Sequence, residues 1–370
     1  MWHFYPDHYM FSYQVVRMAS QSLFGGGEFN EILEAAGQIK PGDYESFHRA
    51  WAGLGHRVLS EANKALDEGH TITARAAFLR AANYFRSAEF FLTPDDPRKL
   101  PTYKAGIHAF RMGAAMLDNP PKQVEIPYED SFLPGYFFQA PNQENGPLVI
   151  MFGGLDSTAE ELYFGPAQLL NERGISLLAV DGPGQGGALR LNHIHTRYDY
   201  NVAGTAALDF AIEQLPIDAE RVAVMAVSMG GYMAARCAAF EPRFKACAIW
   251  SAVYSYYDVW ARRPDDHPLS KIAQHIAGVD SMAEAREKFK TFTLQGVAEN
   301  IKVPTYIVHG EDDRQVPVDH AYRVYNDLVC PRTLVVVPVS SSGSSHCQVD
   351  NVTKTYPMYD WLQKQLQQSL

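Results

Sequence analysis

The sequence is poor in cysteine and contains no long apolar run. Its four cysteines, in a chain of 370 residues, form no C-x-x-C pair and lie in or beside apolar segments. We therefore expect reduced, mostly buried thiols rather than a disulfide framework. No window reaches the roughly 18 apolar residues of a membrane span, and the N-terminus lacks the basic and apolar regions of a secretory signal. These absences predict a cytoplasmic protein that does not associate with membranes.

Basic residues are in the minority. The chain has 32 Lys and Arg against 42 Asp and Glu, which gives a formal net charge of −10. A nucleic acid or an anionic membrane would favour a basic face, so neither is expected as the main partner. Hydrophobic residues make up 46% of the chain and charged residues 20%, a balance typical of globular proteins. A small organic molecule fits better as the partner.

The hydrophobic pattern changes near residue 122. Before it, at 11–118, apolar residues recur at three- and four-residue spacing without a strand signal, which predicts an all-helical N-terminal domain at 1–121. After Pro120 and Pro121, short β-rich runs alternate with helical segments such as 160–172 and 202–214. The predicted strands are 124–128, 135–140, 148–152, 176–180, 221–227, 246–251, 305–309 and 333–339. This pattern indicates an α/β domain at 122–370 with a mostly parallel, eight-stranded sheet.

One connection in the second domain is unusually long. Between the predicted sixth and seventh strands, residues 253–302 form an excursion rich in Tyr, Trp and helical pattern. That length suits a lid insertion better than a simple connection. Tyr254, Tyr257 and Trp260 lie where the chain leaves the sheet, so they either line a substrate pocket or form the lid's own core.

The pentapeptide Ala-Val-Ser-Met-Gly at 226–230 follows an apolar strand and precedes a helical segment. This is the context of a nucleophile elbow, in which small residues two positions before and after the serine allow a tight turn. Ser228 would then project above the sheet, with the helix N-terminus facing the reacting oxygen. The pentapeptide alone is also compatible with an ordinary strand-to-helix turn.

Two later residues complete the pattern of a catalytic triad. Asp313 follows the strand at 305–309, where this architecture holds its orienting acid, and we prefer it over Asp312. His346 follows the last predicted strand on a Ser-rich loop. The order Ser, Asp, His is the one that the α/β-hydrolase fold requires. The histidine would take the serine proton, and the carboxylate would fix its tautomer.

Backbone donors are expected next to the serine. Gly154 and Leu155 follow the predicted strand 148–152, and glycine there leaves main-chain N–H groups unobstructed. With the N–H of Met229, they would form an oxyanion hole, although the glycines are also compatible with a simple turn.

Two further motifs are weak. The Gly-rich segment at 181–187 lacks G-x-G-x-x-G spacing and the acidic residue that a dinucleotide site needs, so we interpret it as a loop lining the pocket. His193 and His195 are separated by one residue, but no third ligand converges on them in sequence. No metal and no cofactor are therefore expected.

Taken together, these motifs resemble the α/β-hydrolases of the 2,6-dihydroxypseudooxynicotine hydrolase type, with fungal hydrolases of polyketide pathways as more distant relatives. The likeness runs from about residue 50 to the C-terminus. Particularly alike are the stretches at 152–158, 181–186, 228–231, 241–243 and 304–310, together with Asp350 after the histidine. Gly-Gly after the serine and Glu-Pro-Arg at 241–243 are more specific than a generic elbow. The chain departs from the family's usual residues at Ala226 and in the Ser-rich stretch before His346.

The resemblance implies several properties. The helical domain would be a cap, with a pocket between cap and core, and the protein would form a homodimer. Glu241 would correspond to an acidic residue near the nucleophile, which we place among the pocket residues, although a surface carboxylate at a helix end is equally compatible. The reaction implied is cleavage of a carbon–carbon bond next to a ketone.

The sequence thus predicts a serine hydrolase that acts on an aromatic or polyketide-like small molecule of secondary metabolism or catabolism, with β-diketone cleavage as the leading reaction. Hydrolysis of an ester, thioester or lactone would use the same residues. A hydrolase-like cyclase of a polyketide or polyketide–peptide pathway is a further alternative. A binding protein of the same fold without catalytic activity is the alternative that is not an enzyme.

Overall fold

The chain forms two compact units in the computed structural model, which describes residues 1–367. The first unit is Met1–Pro121 and the second begins at Lys122. Residues 368–370 of the predicted second domain lie outside the described residues. No helix within residues 1–367 is long and apolar enough to cross a membrane. The predicted roles of the first unit as a cap and of residues 253–302 as a lid stay predictions.

The first unit is helical, as the sequence pattern predicts. Its helices are α1 (Tyr9–Gln21), α2 (Phe29–Gln38), α3 (Tyr44–Asp67), α4 (Thr71–Glu89) and α5 (Lys99–Ala114). The Asp43 side chain caps α3 by accepting the backbone N–H groups of Glu45 and Ser46. Between α4 and α5, the buried Glu89 carboxylate and Lys99 ammonium form an ion pair 2.8 Å long.

The second unit is built on an eight-stranded sheet within the described residues, as predicted. Its strands are β1 (Lys122–Tyr128), β2 (Ser131–Phe138), β3 (Gly146–Phe152), β4 (Ser176–Val180), β5 (Ile217–Val227), β6 (Ala246–Trp250), β7 (Thr305–Gly310) and β8 (Arg332–Val337). Their order is β1-β2-β4-β3-β5-β6-β7-β8. β1 and β2 pair antiparallel with their neighbours, and β3 to β8 are parallel. β3 and β4 are buried along their whole length, which explains their uninterrupted apolar sequences.

Helices connect most of the parallel strands, and a last helix follows β8. They are α6 (Pro166–Asn171), α7 (Gly186–Arg190), α8 (Asn201–Gln214), α9 (Gly230–Phe240), α10 (Tyr256–Ala261), α11 (Ser270–Ala277), α12 (Met282–Phe289), α13 (Asp319–Asp327) and α14 (Tyr356–Gln367). The long excursion between β6 and β7 contains α10, α11 and α12. Its core includes the ring of Trp260, which stacks on Phe289 with centroids 6.1 Å apart.

One predicted helix is interrupted. The sequence pattern predicts a helix over 160–172, but the chain forms a short 3-10 turn at Glu161–Tyr163 and begins α6 only at Pro166. Gly165 adopts a positive φ of 123°. Pro166 has no N–H to continue the earlier turn, although it suits the first position of a new helix.

The strand order places one crevice at the carboxyl ends of β3 and β5. From β3 the chain moves to one side to form β4, and then returns to the other side of β3 to form β5. In parallel sheets, ligands bind where the direction of the connections reverses in this way. Phe152 and Ala226 are aligned in register near the ends of these strands. The loops that follow them therefore meet above the same edge of the sheet.

Candidate active site

Ser228 occupies a sharp turn between β5 and α9. Its φ is 61°, a left-handed conformation that is uncommon for a residue with a side chain. The backbone N–H of Ser228 donates to the carbonyl of Trp250 over 2.7 Å, and its carbonyl accepts the N–H of Gly231 over 2.7 Å. These bonds hold the turn in a conformation that would otherwise cost about 1 to 3 kcal/mol.

The glycines around the serine are required by close backbone approaches. A methyl group at Gly230 would overlap the carbonyl oxygen of Gly153, and one at Gly231 would overlap the carbonyl oxygen of Ser251. A methyl group at Gly154 would lie 3.0 Å from the Cβ atom of Ser228. The loop after β3 therefore lies directly against the serine, as the predicted oxyanion hole requires.

The structure brings together the three residues of the predicted triad. The Oγ atom of Ser228 lies 2.8 Å from Nε2 of His346. The Nδ1 atom of the same imidazole lies 2.6 Å from Oδ2 of Asp313. An ionised carboxylate can only accept hydrogen bonds, so Nδ1 carries the proton. In the neutral imidazole, Nε2 then accepts the serine hydroxyl proton.

Asp313 is a buried carboxylate with several donors. Its Oδ1 atom accepts the backbone N–H groups of Gln315 and Val316 over 2.9 and 2.8 Å. Burial raises the pKa of this carboxyl, but the imidazole of His346, the ring of His309 and the Val316 N–H outweigh burial and leave the pKa below its ordinary value. Asp313 is therefore ionised at neutral pH.

His346 is the electrostatic partner of that carboxylate. Burial alone would lower the pKa of His346, but the charge and hydrogen bond of Asp313 raise it above its ordinary value. A raised pKa makes the imidazole a stronger proton acceptor. The same interaction stabilises the imidazolium that forms when a serine proton is taken.

A second buried histidine supports Asp313, and the sequence analysis missed it. The Nδ1 atom of His309 accepts the N–H of Ala252 over 3.1 Å, which places the proton on Nε2. That Nε2–H donates to the Val316 carbonyl over 2.8 Å and lies 3.4 Å from Oδ2 of Asp313. Burial lowers the pKa of His309, so the ring is held as a neutral donor. Its position at the end of β7 was the available signal.

The loop that carries His346 is fastened at two sides. Asp350 accepts the backbone N–H groups of Gly343 and Ser345 over 2.8 and 3.3 Å. On the other side, the N–H of Cys347 donates to Oγ of Ser251 over 3.2 Å. An aspartate four residues after the histidine was visible in the sequence, but its contacts with backbone groups were not.

Two of the three predicted oxyanion donors, those of Gly154 and Met229, belong to residues next to the serine. Met229 is the N-cap residue of α9, so its N–H belongs to the helix terminus that faces the turn. Gly154 is adjacent to Ser228, and Leu155 follows it. Tyr256 donates its hydroxyl to the Met229 carbonyl over 2.8 Å, which is a contact that the sequence does not reveal.

The structure does not bring Glu241 to the serine. Glu241 ends α9, whereas Ser228 precedes it, and the helix of 11 residues separates them by roughly 16 Å. The buried Glu241 carboxylate instead accepts from the guanidinium of Arg243 at 2.7 and 2.8 Å and from the hydroxyl of Thr205 at 2.9 Å. These contacts fit a structural carboxylate at a helix end, the alternative reading.

The three predicted aromatic pocket residues have different surroundings. The Tyr254 hydroxyl donates to Asp327 over 2.7 Å, and its ring lies under the guanidinium of Arg323. Tyr257 is exposed. Trp260 is fully buried in the excursion, so its surroundings match the lid-core reading. These contacts do not reach the triad, and a pocket role stays a prediction.

In the histidine pair at 193 and 195, the second ring contacts a backbone carbonyl. Nδ1 of His195 lies 3.0 Å from the carbonyl of His275. Within residues 1–367, no group of three or more His, Cys, Asp or Glu side chains is close enough together to hold a metal ion.

Comparisons with known proteins give the chain a family. Residues 163–369 match the prolyl oligopeptidase family. Hydrolase acrC of Aspergillus aculeatus is 35% identical, and the match covers 84% of each chain. The 20-hydroxy-prefusarin hydrolase FUS2 of Gibberella moniliformis is 40% identical over 68% of this chain, a match that spans 63% of FUS2.

A solved structure extends the likeness to nearly the whole chain. The 2,6-dihydroxy-pseudo-oxynicotine hydrolase superimposes with a TM-score of 0.82 at 26% identity, and covers 94% of this chain and 95% of its own. The helical first unit is therefore included in the similarity, which confirms the resemblance drawn from the motifs. The chain belongs to the prolyl oligopeptidase family and is an α/β-hydrolase of the 2,6-dihydroxypseudooxynicotine hydrolase type.

Proposed function

We propose that this protein is a serine hydrolase that cleaves a carbon–carbon bond next to a ketone in an aromatic or polyketide-like small molecule. The observation that carries the proposal is the chain of two short contacts from Ser228 through His346 to Asp313, at 2.8 and 2.6 Å. Similarity to 2,6-dihydroxy-pseudo-oxynicotine hydrolase over 94% of the chain supports the carbon–carbon reaction. Similarity to 20-hydroxy-prefusarin hydrolase supports a substrate of secondary metabolism.

In the first half of the reaction, Ser228 attacks one carbonyl of a β-diketone while His346 takes the hydroxyl proton. The oxyanion that forms lies among the backbone N–H groups of Gly154, Leu155 and Met229. The bond between the attacked carbon and the central carbon then breaks. Its electron pair becomes an enolate that is stabilised by the second carbonyl, and the imidazolium returns the proton to the central carbon.

In the second half, the acyl group is held as an ester on Ser228. His346 takes a proton from water, and the hydroxide adds to the ester carbonyl. Collapse of this second tetrahedral intermediate releases a carboxylic acid and returns the proton to the serine oxygen. One diketone and one water give one acid and one ketone, so no cofactor is required.

Esters, thioesters and lactones would follow the same two halves, because only the leaving group differs. In a β-diketone, the second carbonyl of the substrate stabilises the leaving group. The triad acts in the same way on all of these substrates, so it does not determine which of them is cleaved. A cyclisation would use His346 in proton transfer without net addition of water.

Turnover in ¹⁸O-labelled water separates these reactions. An aryl β-diketone and the matching aryl ester are incubated with the wild type and with Ser228→Ala. We expect ketone release from the diketone, one ¹⁸O atom in the carboxylate and no turnover by the variant. Ester turnover alone would replace the carbon–carbon reaction by ester hydrolysis. A ring-closed product of a polyketide substrate without ¹⁸O would indicate a cyclase.

A further inference from the structure

The Gly-rich segment at 181–187 contains a buried glutamine that contacts the loop after β3. The side-chain amide nitrogen of Gln185 donates to the carbonyl of Gly153 over 2.7 Å and to the carbonyl of Gly154 over 2.9 Å. Only 2% of Gln185 is exposed, so these bonds are sheltered from water. The segment therefore has a role beyond lining a pocket.

The orientation of this amide is fixed by its other end. The side-chain oxygen of Gln185 accepts the N–H of Gly182 over 3.2 Å and the hydroxyl of Tyr200 over 3.1 Å. Both partners are donors, so the oxygen must face them and the NH₂ group must face the two carbonyls. Every polar atom of the amide has a partner, as expected for a buried group.

Because the peptide bond is planar, these two contacts also orient the predicted oxyanion donors. In a trans peptide, the C=O of one residue and the N–H of the next point in opposite directions. Fixing the Gly153 carbonyl therefore orients the N–H of Gly154, and fixing the Gly154 carbonyl orients the N–H of Leu155. Both N–H groups are turned away from Gln185.

The same segment holds the loop at a second point. Asp181 accepts the N–H of Ala159 on one carboxylate oxygen and the N–H of Gly187 on the other, each over 2.7 Å. Gln185 and Asp181 thus connect the segment to both ends of the stretch 153–159. The N–H groups at 154 and 155 are kept from rotating by contacts outside their own loop.

We propose that Gln185 is a positioning residue, which holds the N–H groups of Gly154 and Leu155 in the orientation that an oxyanion on the substrate requires. This inference rests on the proposed serine mechanism and deepens it. Without the amide, the two peptide groups lose the hydrogen bonds that fix their carbonyls, and the donors are less well oriented in advance. The transition state would lose more than the bound substrate does, because the charge develops only during the reaction.

The test compares Gln185→Met with the wild type. Methionine has a similar length but cannot donate a hydrogen bond, and Gln214→Met at the exposed end of α8 is the matched control. The fraction of active chains is first titrated, and kcat and KM are then measured per active site with an aryl ester. We expect kcat to fall about 10²-fold, as on loss of one oxyanion donor, with KM within about threefold. The control should match the wild type.

Inhibition by an aryl trifluoromethyl ketone gives a second readout. This probe forms a tetrahedral adduct with the serine, so its inhibition constant should rise by the same factor as kcat/KM falls. A merely structural role would lower the active fraction or the midpoint of thermal unfolding, and leave both quantities per active site unchanged. That result would overturn the inference.

Gln185→Glu covers the case in which the methionine variant does not fold. A protonated carboxyl can donate one hydrogen bond to a carbonyl, but an ionised one can donate none. Activity per site relative to the wild type should therefore fall as the pH rises. A constant ratio would contradict the inference. A wild type that neither turns over the ester nor binds the ketone would instead remove the proposed function itself.

Discussion

At the residue scale, the dominant interaction in the site is between Asp313 and His346. Their contact of 2.6 Å is sheltered from solvent, since both side chains are almost fully buried. Each lowers the free energy of the other's charged form, so the pKa of Asp313 is lowered and that of His346 is raised. Replacing Asp313 by an uncharged residue should therefore change both the rate and its pH dependence.

We predict that Asp313→Asn lowers kcat by roughly 10³- to 10⁴-fold, because the imidazole loses both its tautomer and its counter-charge. Activity requires neutral His346, so in the wild type it declines as the pH falls through the raised pKa of this group. Without the carboxylate that pKa is lower, and the acid limb of kcat/KM should move to lower pH. A limb that stays in place or moves upward would contradict the account.

At the element scale, helix α9 lies between two residues with different functions, a serine and a carboxylate. The turn before it carries Ser228, and the residue after it is Glu241, whose pKa is held below the ordinary value by the hydrogen-bonded Arg243 guanidinium in spite of burial. A group with a lowered pKa stabilises the folded state above its ordinary pKa. That contribution is lost as the pH falls through the lowered value.

We therefore predict that Glu241→Gln lowers the free energy of unfolding by about 1 to 2 kcal/mol at pH 7, with kcat and KM unchanged. The difference from the wild type should shrink as the pH falls below the ordinary glutamate pKa and through the lowered pKa of Glu241, where the wild-type carboxylate also becomes neutral. Urea denaturation at several pH values, with kinetics at pH 7, measures both. A change in KM without a change in stability would restore the pocket role that the family resemblance implies.

The loop after β8 is the second element that matters to the site. Asp350 holds the backbone of Gly343 and Ser345, and these residues immediately precede His346. We predict that Asp350→Ala lowers kcat by about 10- to 100-fold, because an imidazole displaced by about 1 Å no longer reaches the serine well. Hydrogen exchange at 343–346 should accelerate. Unchanged exchange with wild-type kcat would show that the loop needs no such support.

At the scale of the whole molecule, the sequence predicted what depends on repeated patterns. Buried strands such as β3 and β4 are apolar runs. Ser228, Asp313 and His346 each lie in the turn or loop that comes after a strand. The family comparison confirms this fold. Where a single local conformation decides, as at Gly165 and Pro166, the periodic pattern predicted a helix that the chain interrupts.

Other parts of the site left little trace in the sequence. Gln185 donates to main-chain carbonyls. Every residue has a backbone carbonyl, so no particular residue type in the sequence reveals such a contact. The position of His309 at the end of a strand was visible in the sequence, but its contact with Asp313 was not. The pocket role of Glu241 rests on resemblance alone, although the helix predicted between Ser228 and Glu241 implies a separation of roughly 16 Å.

The account depends most on Ser228 being the nucleophile, and labelling with a fluorophosphonate tests this directly. Intact mass and peptide mapping should show one probe per chain, on the peptide that contains Ser228. Ser228→Ala should remain folded, by circular dichroism, and unlabelled. A folded wild type that takes up no probe, or a probe attached to another residue, would contradict the serine mechanism and the inferences drawn from it.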